Sequence, residues 1–389
     1  MYYEASYQKY LDNMLADTES ELLPKQKEVL VRFNREMDKN DGLALHTRIS
    51  QVSKLSMLAK AVQKPFASME RKDMEDFLYS LEVSPATVDQ YKIVVKKFFK
   101  WLRKTDDYPV EVKWIKLTNH IKRKLPEDIL TPIEVKKLID AADNLRDRAL
   151  VSVLYESGCR VGELVGVKQK DVDIDRYGAR IKVVRGKTGM RPVRLIDSAP
   201  DLTLWLNNHP NKNLENFVFV HGADNNKPLG AGGVDYVLEI LGKRAKLNKG
   251  VHAHLLRHSR ATHLAGEFTE SELKVIFGWT RDSKMPGIYV SLSGGQVEKK
   301  MLTRAGLVDA EETRKEEDVL KARNCPRCKE VNPSTARFCP KCGMALDLET
   351  AMKIDTGESG MALELMDIMQ REPRLLEMLK NITKPVAVK

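Results

Sequence analysis

Residues 172–196 read VDIDRYGARIKVVRGKTGMRPVRLI, and here the spacing of apolar residues changes. Upstream they recur every three or four positions, the period of a helix face; in this stretch they alternate, the period of a strand with one face buried. The segments RYG and GKTG divide it into three short strands, as turn-rich tripeptides and tetrapeptides do between alternating runs. Lys187 therefore sits on a hairpin tip. One small three-stranded antiparallel sheet inside an otherwise helical chain defines the expected fold class as mainly α.

Working back toward the N-terminus, HTRISQVSKLSMLAKAV carries Ile49, Val52, Leu55, Leu58, Ala59 and Val62 at helical spacing. TVDQYKIVVKKFFKWLR repeats the pattern with Val88, Tyr91, Val94, Val95, Phe98, Phe99 and Leu102 inward. Lys92, Lys96, Lys97, Lys100, Arg103 and Lys104 then face largely outward. These runs predict a small helical bundle over 19–105, preceded by an N-terminal tail, 1–18. A polar, proline-containing linker, 106–127, follows. A second domain, 128–307, opens at LTPIEVKKLIDAA, where Thr131 is placed to cap a helix, Pro132 fits its first turn and Glu134 completes a capping box. The next helix, LRDRALVSVLYESG, ends at Gly158. Beyond the strands the chain returns to helices, then to a charged linker, 308–322, a cysteine-rich unit, 323–348, and a helical tail, 349–389. In that tail Met361, Leu365, Ile368 and Met369, then Leu375, Leu376 and Leu379, form an apolar stripe suited to a partner surface or to the chain's own domain.

The chain has 389 residues, too many for one ordinary domain, and 65 Lys and Arg against 55 Asp and Glu give a formal charge of +10. That balance suits a polyanionic partner, nucleic acid or an acidic membrane surface. The N-terminal residues lack a basic start followed by an apolar run, and no apolar stretch is long enough to cross a bilayer. The expectation is a cytoplasmic protein.

Four of the five cysteines, Cys325, Cys328, Cys339 and Cys342, fall in CPRCKEVNPSTARFCPKC. Two C-x2-C knuckles in a unit too small for more than a vestigial core predict one structural zinc ion: four thiolates complete a tetrahedron and leave no position for a reacting water. Cys159 reads as a small core residue. RGKTG lacks the Gly-x4-Gly-Lys-Ser/Thr pattern and precedes a strand, so ATP binding is not expected.

Three further segments carry chemistry: YESGCRVGELVGV, HLLRHSRATHLA and FGWTRDSKMPGIYVSLSG. Together they resemble the active-site boxes of the tyrosine recombinases, the family of phage integrases and Xer recombinases. The matching residues, in order, are Arg160 after a helix-ending glycine, Lys187 on a hairpin, His254 and Arg257 opening a helix, Trp279 after glycine, and Tyr289. The resemblance covers 128–307. The helical segment before it is similar to the family's core-binding domain in position and character, and the wording of the last box with the appended zinc ribbon looks most like archaeal members.

The resemblance implies that Tyr289 attacks a DNA phosphodiester to give a 3′-phosphotyrosyl enzyme and a free 5′-hydroxyl. The physical chemistry agrees. A pentacoordinate phosphorus carries extra negative charge, which fixed guanidinium groups stabilise, so Arg160 and Arg257 form the expected clamp. A phenol titrating near 10 needs a base, assigned to His254. Lys187 would protonate the leaving 5′-oxygen, and Trp279 would donate its indole N–H and pack the site. Phosphodiester energy is conserved in the covalent bond, so neither ATP nor a catalytic metal is expected. His258 and His263 are read as structural, Glu163 as a support for an active-site group, and His252 is unassigned.

The expected partner is double-stranded DNA, with a homo-tetramer acting on two sites and a nucleoid-associated location. A protein partner through the ribbon or tail stays open. The leading function is integration or excision of a mobile element. Alternatives are an Xer-like resolvase of chromosome dimers, a type IB topoisomerase, or a noncatalytic DNA-binding regulator that docks proteins through its ribbon.

Overall fold

The computed structural model describes residues 4–16, 22–118, 129–186, 189–222, 224–292, 298, 301–307, 319–347 and 350–352, with 184–186 and 291–292 by backbone only. The expectations placed on Lys187, on most of the charged linker and on the tail beyond residue 352 lie outside the described residues. The chain divides into two compact units, Met1–Arg123 and Lys124–Lys389.

The first unit is helical: α1 (Glu4–Ala16), α2 (Pro24–Lys39), α3 (Leu45–Val62), α4 (Arg71–Tyr79), α5 (Pro85–Arg103) and the short α6 (Val110–Lys113). Helix α5 starts where Ser84 Oγ accepts the Thr87 N–H and ends at Lys104 in the left-handed region, φ 53°. Its inward aromatic face builds the core, with Phe98 edge-on to Phe33 at 5.1 Å and to Phe66 at 4.7 Å. Two segments set aside above as tail and linker belong to this core. Leu11 of α1 is fully buried, and so are Val112 and Ile115 beyond α5. In α1 the residues Tyr7, Tyr10, Leu11, Met14 and Leu15 recur at helical spacing, whereas the four-residue α6 is too short to show a period and is buried by docking onto the larger helices.

The second unit begins with α7 (Pro132–Asp140), where Thr131 Oγ1 accepts the Glu134 N–H and Glu134 accepts the Thr131 N–H. Helix α8 (Leu145–Ser157) is capped by Asn144 and is buried along most of its length. It stops at Gly158, φ +54°, where a Cβ would lie 2.3 Å from the Phe277 ring; only glycine permits both the turn and the contact. After the single turn α9 (Val161–Leu164) come β1 (Val172–Asp175), β2 (Gly178–Gly186) and β3 (Gly189–Leu195). They form an antiparallel sheet in the order β1-β2-β3, with Ile181 opposite both Val172 and Val193. The face bearing Ala179, Ile181, Val183, Val193 and Leu195 closes over α8 and α10 (Ala199–Asn207). Helices α11 (Ala231–Arg244), α12 (Ala253–Ala265), α13 (Glu270–Phe277) and α14 (Met285–Leu292) complete the body. The cysteine-rich unit adds a two-stranded ribbon, β4 (Arg323–Asn324) with β5 (Val331–Asn332). The ribbon touches the body through Leu320, packed on its core, and through the Ala322 N–H donated to Asp197. Among the described residues no helix is long and apolar enough to cross a membrane.

Helices α8 and α12 are also joined by Tyr155 Oη and His263 Nδ1, 2.8 Å apart. Burial, helped by the nearby Arg260 charge, pushes His263 from 6.5 down to about 4. The unfolded chain therefore takes up this proton at a higher pH than the folded one, so the group's contribution is complete above pH 6.5 and is lost as pH falls toward 4. It amounts to about 3 kcal/mol at most. Buried Asp201, raised by desolvation, acts in the opposite sense. Thermal melting of the wild type is expected to drop over that acid window, and His263→Gln to flatten the drop; equal slopes in both proteins would contradict it.

Candidate active site and metal centre

Gly158 turns the chain so that Arg160 precedes the first turn of α9. Glu163 Oε2 accepts the Arg160 N–H at 3.1 Å, and Glu163 Oε1 accepts from Arg160 Nη1 at 2.7 Å. The Arg160 side chain is one-third exposed, whereas that of Glu163 is 4% exposed. Burial pushes the Glu163 carboxyl up, but the Arg160 bonds and the Arg191 charge outweigh it and leave the group below its ordinary value. Glu163 is an anion tying down a guanidinium.

Helix α12 starts at His252, whose Nδ1 accepts the Leu255 N–H, which gives the unassigned histidine a capping role. Arg257 points inward and is 3% exposed. Its Nη1 donates to the Gly158 carbonyl at 2.5 Å and its Nη2 to the Phe277 carbonyl at 2.8 Å. One residue thus links the end of α8 to the end of α13. Desolvation, then the neighbouring Arg160, lowers Arg257 to about 10, still charged at neutral pH.

Tyr289 on α14 is 1% exposed. Its ring stacks on Trp279 at 5.4 Å with 6° between planes, and Trp279 stacks on Phe277 at 4.9 Å. The Arg257 guanidinium lies 5.6 Å from the Trp279 ring centre. Tyr289 Oη is hydrogen-bonded to His258 Nδ1 at 2.5 Å. Burial raises the phenol to about 12 against the opposing Arg257 charge, so at neutral pH it keeps its proton and needs an acceptor.

The histidine on that phenol is His258, not the His254 assigned above. His254 is exposed and meets the His258 ring edge-on at 4.1 Å. His258, read above as structural, is the residue bonded to the phenol; residues four apart share one helix face, which puts both histidines on the side of α12 facing Tyr289. His263, one further turn along, is bonded to Tyr155 and does not touch the phenol. Sequence reasoning also missed Arg191 on β3, bonded to Glu163 at 3.2 Å; nothing in its local sequence marks it. Arg160, Arg257, Trp279 and Tyr289 belong to one connected cluster, with His254 at its edge.

The sulfurs of Cys325, Cys328, Cys339 and Cys342 all lie within 4.8 Å of one another. Corners of a tetrahedron with metal–sulfur bonds of about 2.3 Å are about 3.8 Å apart, so the four fit such a centre. Each knuckle repeats one backbone pattern. Cys325 N–H donates to the Glu330 carbonyl and Cys339 N–H to the Met344 carbonyl, both at 2.8 Å. Lys329 and Gly343 take positive φ at matching places. Backbone N–H groups of Cys328 and Arg327 aimed at the Cys325 sulfur lower its thiol, while the hydrogen bonds of Cys328 to the other three sulfurs raise its own.

Residues 128–294 match the profile of the phage integrase family. The chain is 34% identical over 219 residues to a tyrosine recombinase of Thermosipho africanus, spanning 52% of this chain and 73% of that protein. It is 30% identical over 213 residues to tyrosine recombinase XerA of Pyrococcus horikoshii, spanning 53% and 70%. In fold it resembles the Tn1549 transposon integrase solved in complex with transposon right-end DNA, with a TM-score of 0.56, 18% identity and coverage of 71% of this chain and 98% of that one. The family match and these relatives define the class, enzymes that break and rejoin DNA strands. The chain belongs to the tyrosine recombinase, or phage integrase, family.

Proposed function

We propose that this chain cleaves and rejoins duplex DNA through a 3′-phosphotyrosyl intermediate on Tyr289, integrating or excising a mobile element. The observation that carries the reading is the buried Tyr289 phenol held on His258 and stacked on Trp279 beside Arg257. In the forward step Tyr289 Oη bonds to phosphorus as the P–O5′ bond breaks, and the phenolic proton passes to His258, with His254 beside it. Lys187 supplies a proton to the departing 5′-oxygen. Arg160 and Arg257 neutralise the non-bridging oxygens, where positive donors contribute most. Rejoining reverses each transfer, so no external energy source is consumed.

Double-stranded DNA is the proposed partner, bound as a tetramer over two sites, with the chain associated with the nucleoid in the cytoplasm. In support, Arg32, Arg35, Lys39, Lys97, Lys100 and Lys104 line one groove of about 790 Å³ on α2 and α5 of the first unit. Phosphate contacts of this kind weaken steeply with salt. Cys325, Cys328, Cys339 and Cys342 would hold one zinc ion, which when bound cross-links a unit too small to have a core. The ribbon and tail exceed the plain Xer layout, which favours a mobile-element role over dimer resolution.

A pool of nicked duplexes of randomised sequence tests the reading. Wild-type chain is expected to form a denaturation-resistant DNA adduct, and Tyr289→Phe to form none. His258→Asn is expected to slow adduct formation by about 10²–10⁴, the range of a general base. Absence of adduct with every duplex would favour the noncatalytic regulator.

A further inference from the structure

Strand β3 brings a third guanidinium behind the active site. Arg191 Nη2 donates to Glu163 Oε2 at 3.2 Å and lies 3.5 Å from Cys159 Sγ, while Nη1 donates to the Ile276 carbonyl at 2.7 Å. The side chain is 13% exposed, with both of its Nη atoms committed to protein acceptors. Its remaining nitrogen, Nε, is buried and lies under Gly278, where a Cβ would sit 2.6 Å away. Gly278 has φ +58°, so the chain bends over the guanidinium just before Trp279. Glu163 is the shared acceptor, holding Arg160 with one oxygen and Arg191 with the other.

The two pieces Arg191 joins are far apart in sequence and carry different parts of the machinery. One is the α9 turn with Arg160; the other is the end of α13, which leads to Trp279 and then to Tyr289. We infer that Arg191 is a positioning residue for strand cleavage, fixing Glu163, and through it Arg160, to the loop that carries Trp279. This rests on the strand-transfer reading above. A planar guanidinium can serve two acceptors on different elements at once; a lysine ammonium in its place would be a single flexible point charge. Without Arg191, Glu163 keeps its bonds to Arg160 but loses its link to the Ile276 carbonyl, while Arg257 still joins Gly158 to Phe277.

The test uses the full chain and the same pool of nicked duplexes. At saturating DNA, Arg191→Met and Arg191→Lys are expected to slow adduct formation about a hundredfold, the cost of misplacing a reacting group by about 1 Å, with affinity nearly unchanged. In an Arg160→Lys background the same Arg191 substitutions should cost far less, because residues acting through one another are not additive. A general structural defect would slow both backgrounds equally, and that result overturns the inference. So do variants that react as fast as wild type. Should Arg191→Met not fold, Arg191→Lys keeps the buried charge and carries the comparison. A wild-type chain that forms no adduct overturns the strand-transfer reading and this inference with it. A reactive wild type beside equally reactive variants overturns only the inference.

Discussion

Arg257→Gln is expected to lower the single-turnover rate of adduct formation about a thousandfold, the upper range for removing one preorganised donor to a charged transition state. Arg257 is nearly fully buried, and its two Nη atoms hold the carbonyls of Gly158 and Phe277. The substitution therefore also leaves buried acceptors without donors, a destabilisation of about 2–5 kcal/mol. The two effects separate on measurement. Melting temperature reports the lost carbonyl bonds, and the rate at saturating DNA, taken well below the melting transition, reports the lost phosphate donor. Arg257→Lys restores the charge without the planar fork that holds the Gly158 and Phe277 carbonyls, and should recover little of either. A rate within tenfold of wild type in a folded Arg257→Gln protein would remove Arg257 from the phosphate clamp.

Metal removal should have the second large effect. A structural zinc site contributes about 10 kcal/mol to folding in small fingers, and the ribbon has only two-residue strands to set against that loss. Chelation, or Cys325→Ser, is expected to unfold residues 323–345, detected as rapid hydrogen exchange at the Cys325 and Cys339 amides. The body should remain folded, with a lower melting temperature because Leu320 and the Ala322–Asp197 bond lose their anchorage. Metal analysis should return one zinc per chain. Slow exchange at both amides after complete metal removal would show that the ribbon holds itself together.

Much of the architecture was legible before any coordinates. Thr131 caps a helix because its side-chain oxygen satisfies the amide three residues on, a relation contained within one turn of chain. The strand period in residues 172–196 and the helical period in α5 are equally local. Less legible was the stretch around Val112, a single turn with no face of its own, although α1 does carry a helical period at Tyr7, Tyr10, Leu11, Met14 and Leu15. In the site, the boxes containing Arg160, Arg257, Trp279 and Tyr289 could be read as an ordered set, but not that His258 is the histidine in contact with the phenol. Two residues on one helix face have equal claims until the neighbouring helix arrives at a particular height.

By itself, then, the sequence determined a mainly helical chain with strands in residues 172–196, the capped start of α7, which segments carry cations, and which four thiols can share an ion. Tertiary structure alone decided that His258 meets Tyr289 across 31 residues, that Arg191 reaches Ile276 across 85, and that Arg257 reaches Gly158 across 99. The division has a physical cause. Backbone periodicity and capping act over a few residues, whereas these contacts depend on the angles and heights at which whole elements pack, and those follow from filling a shared core.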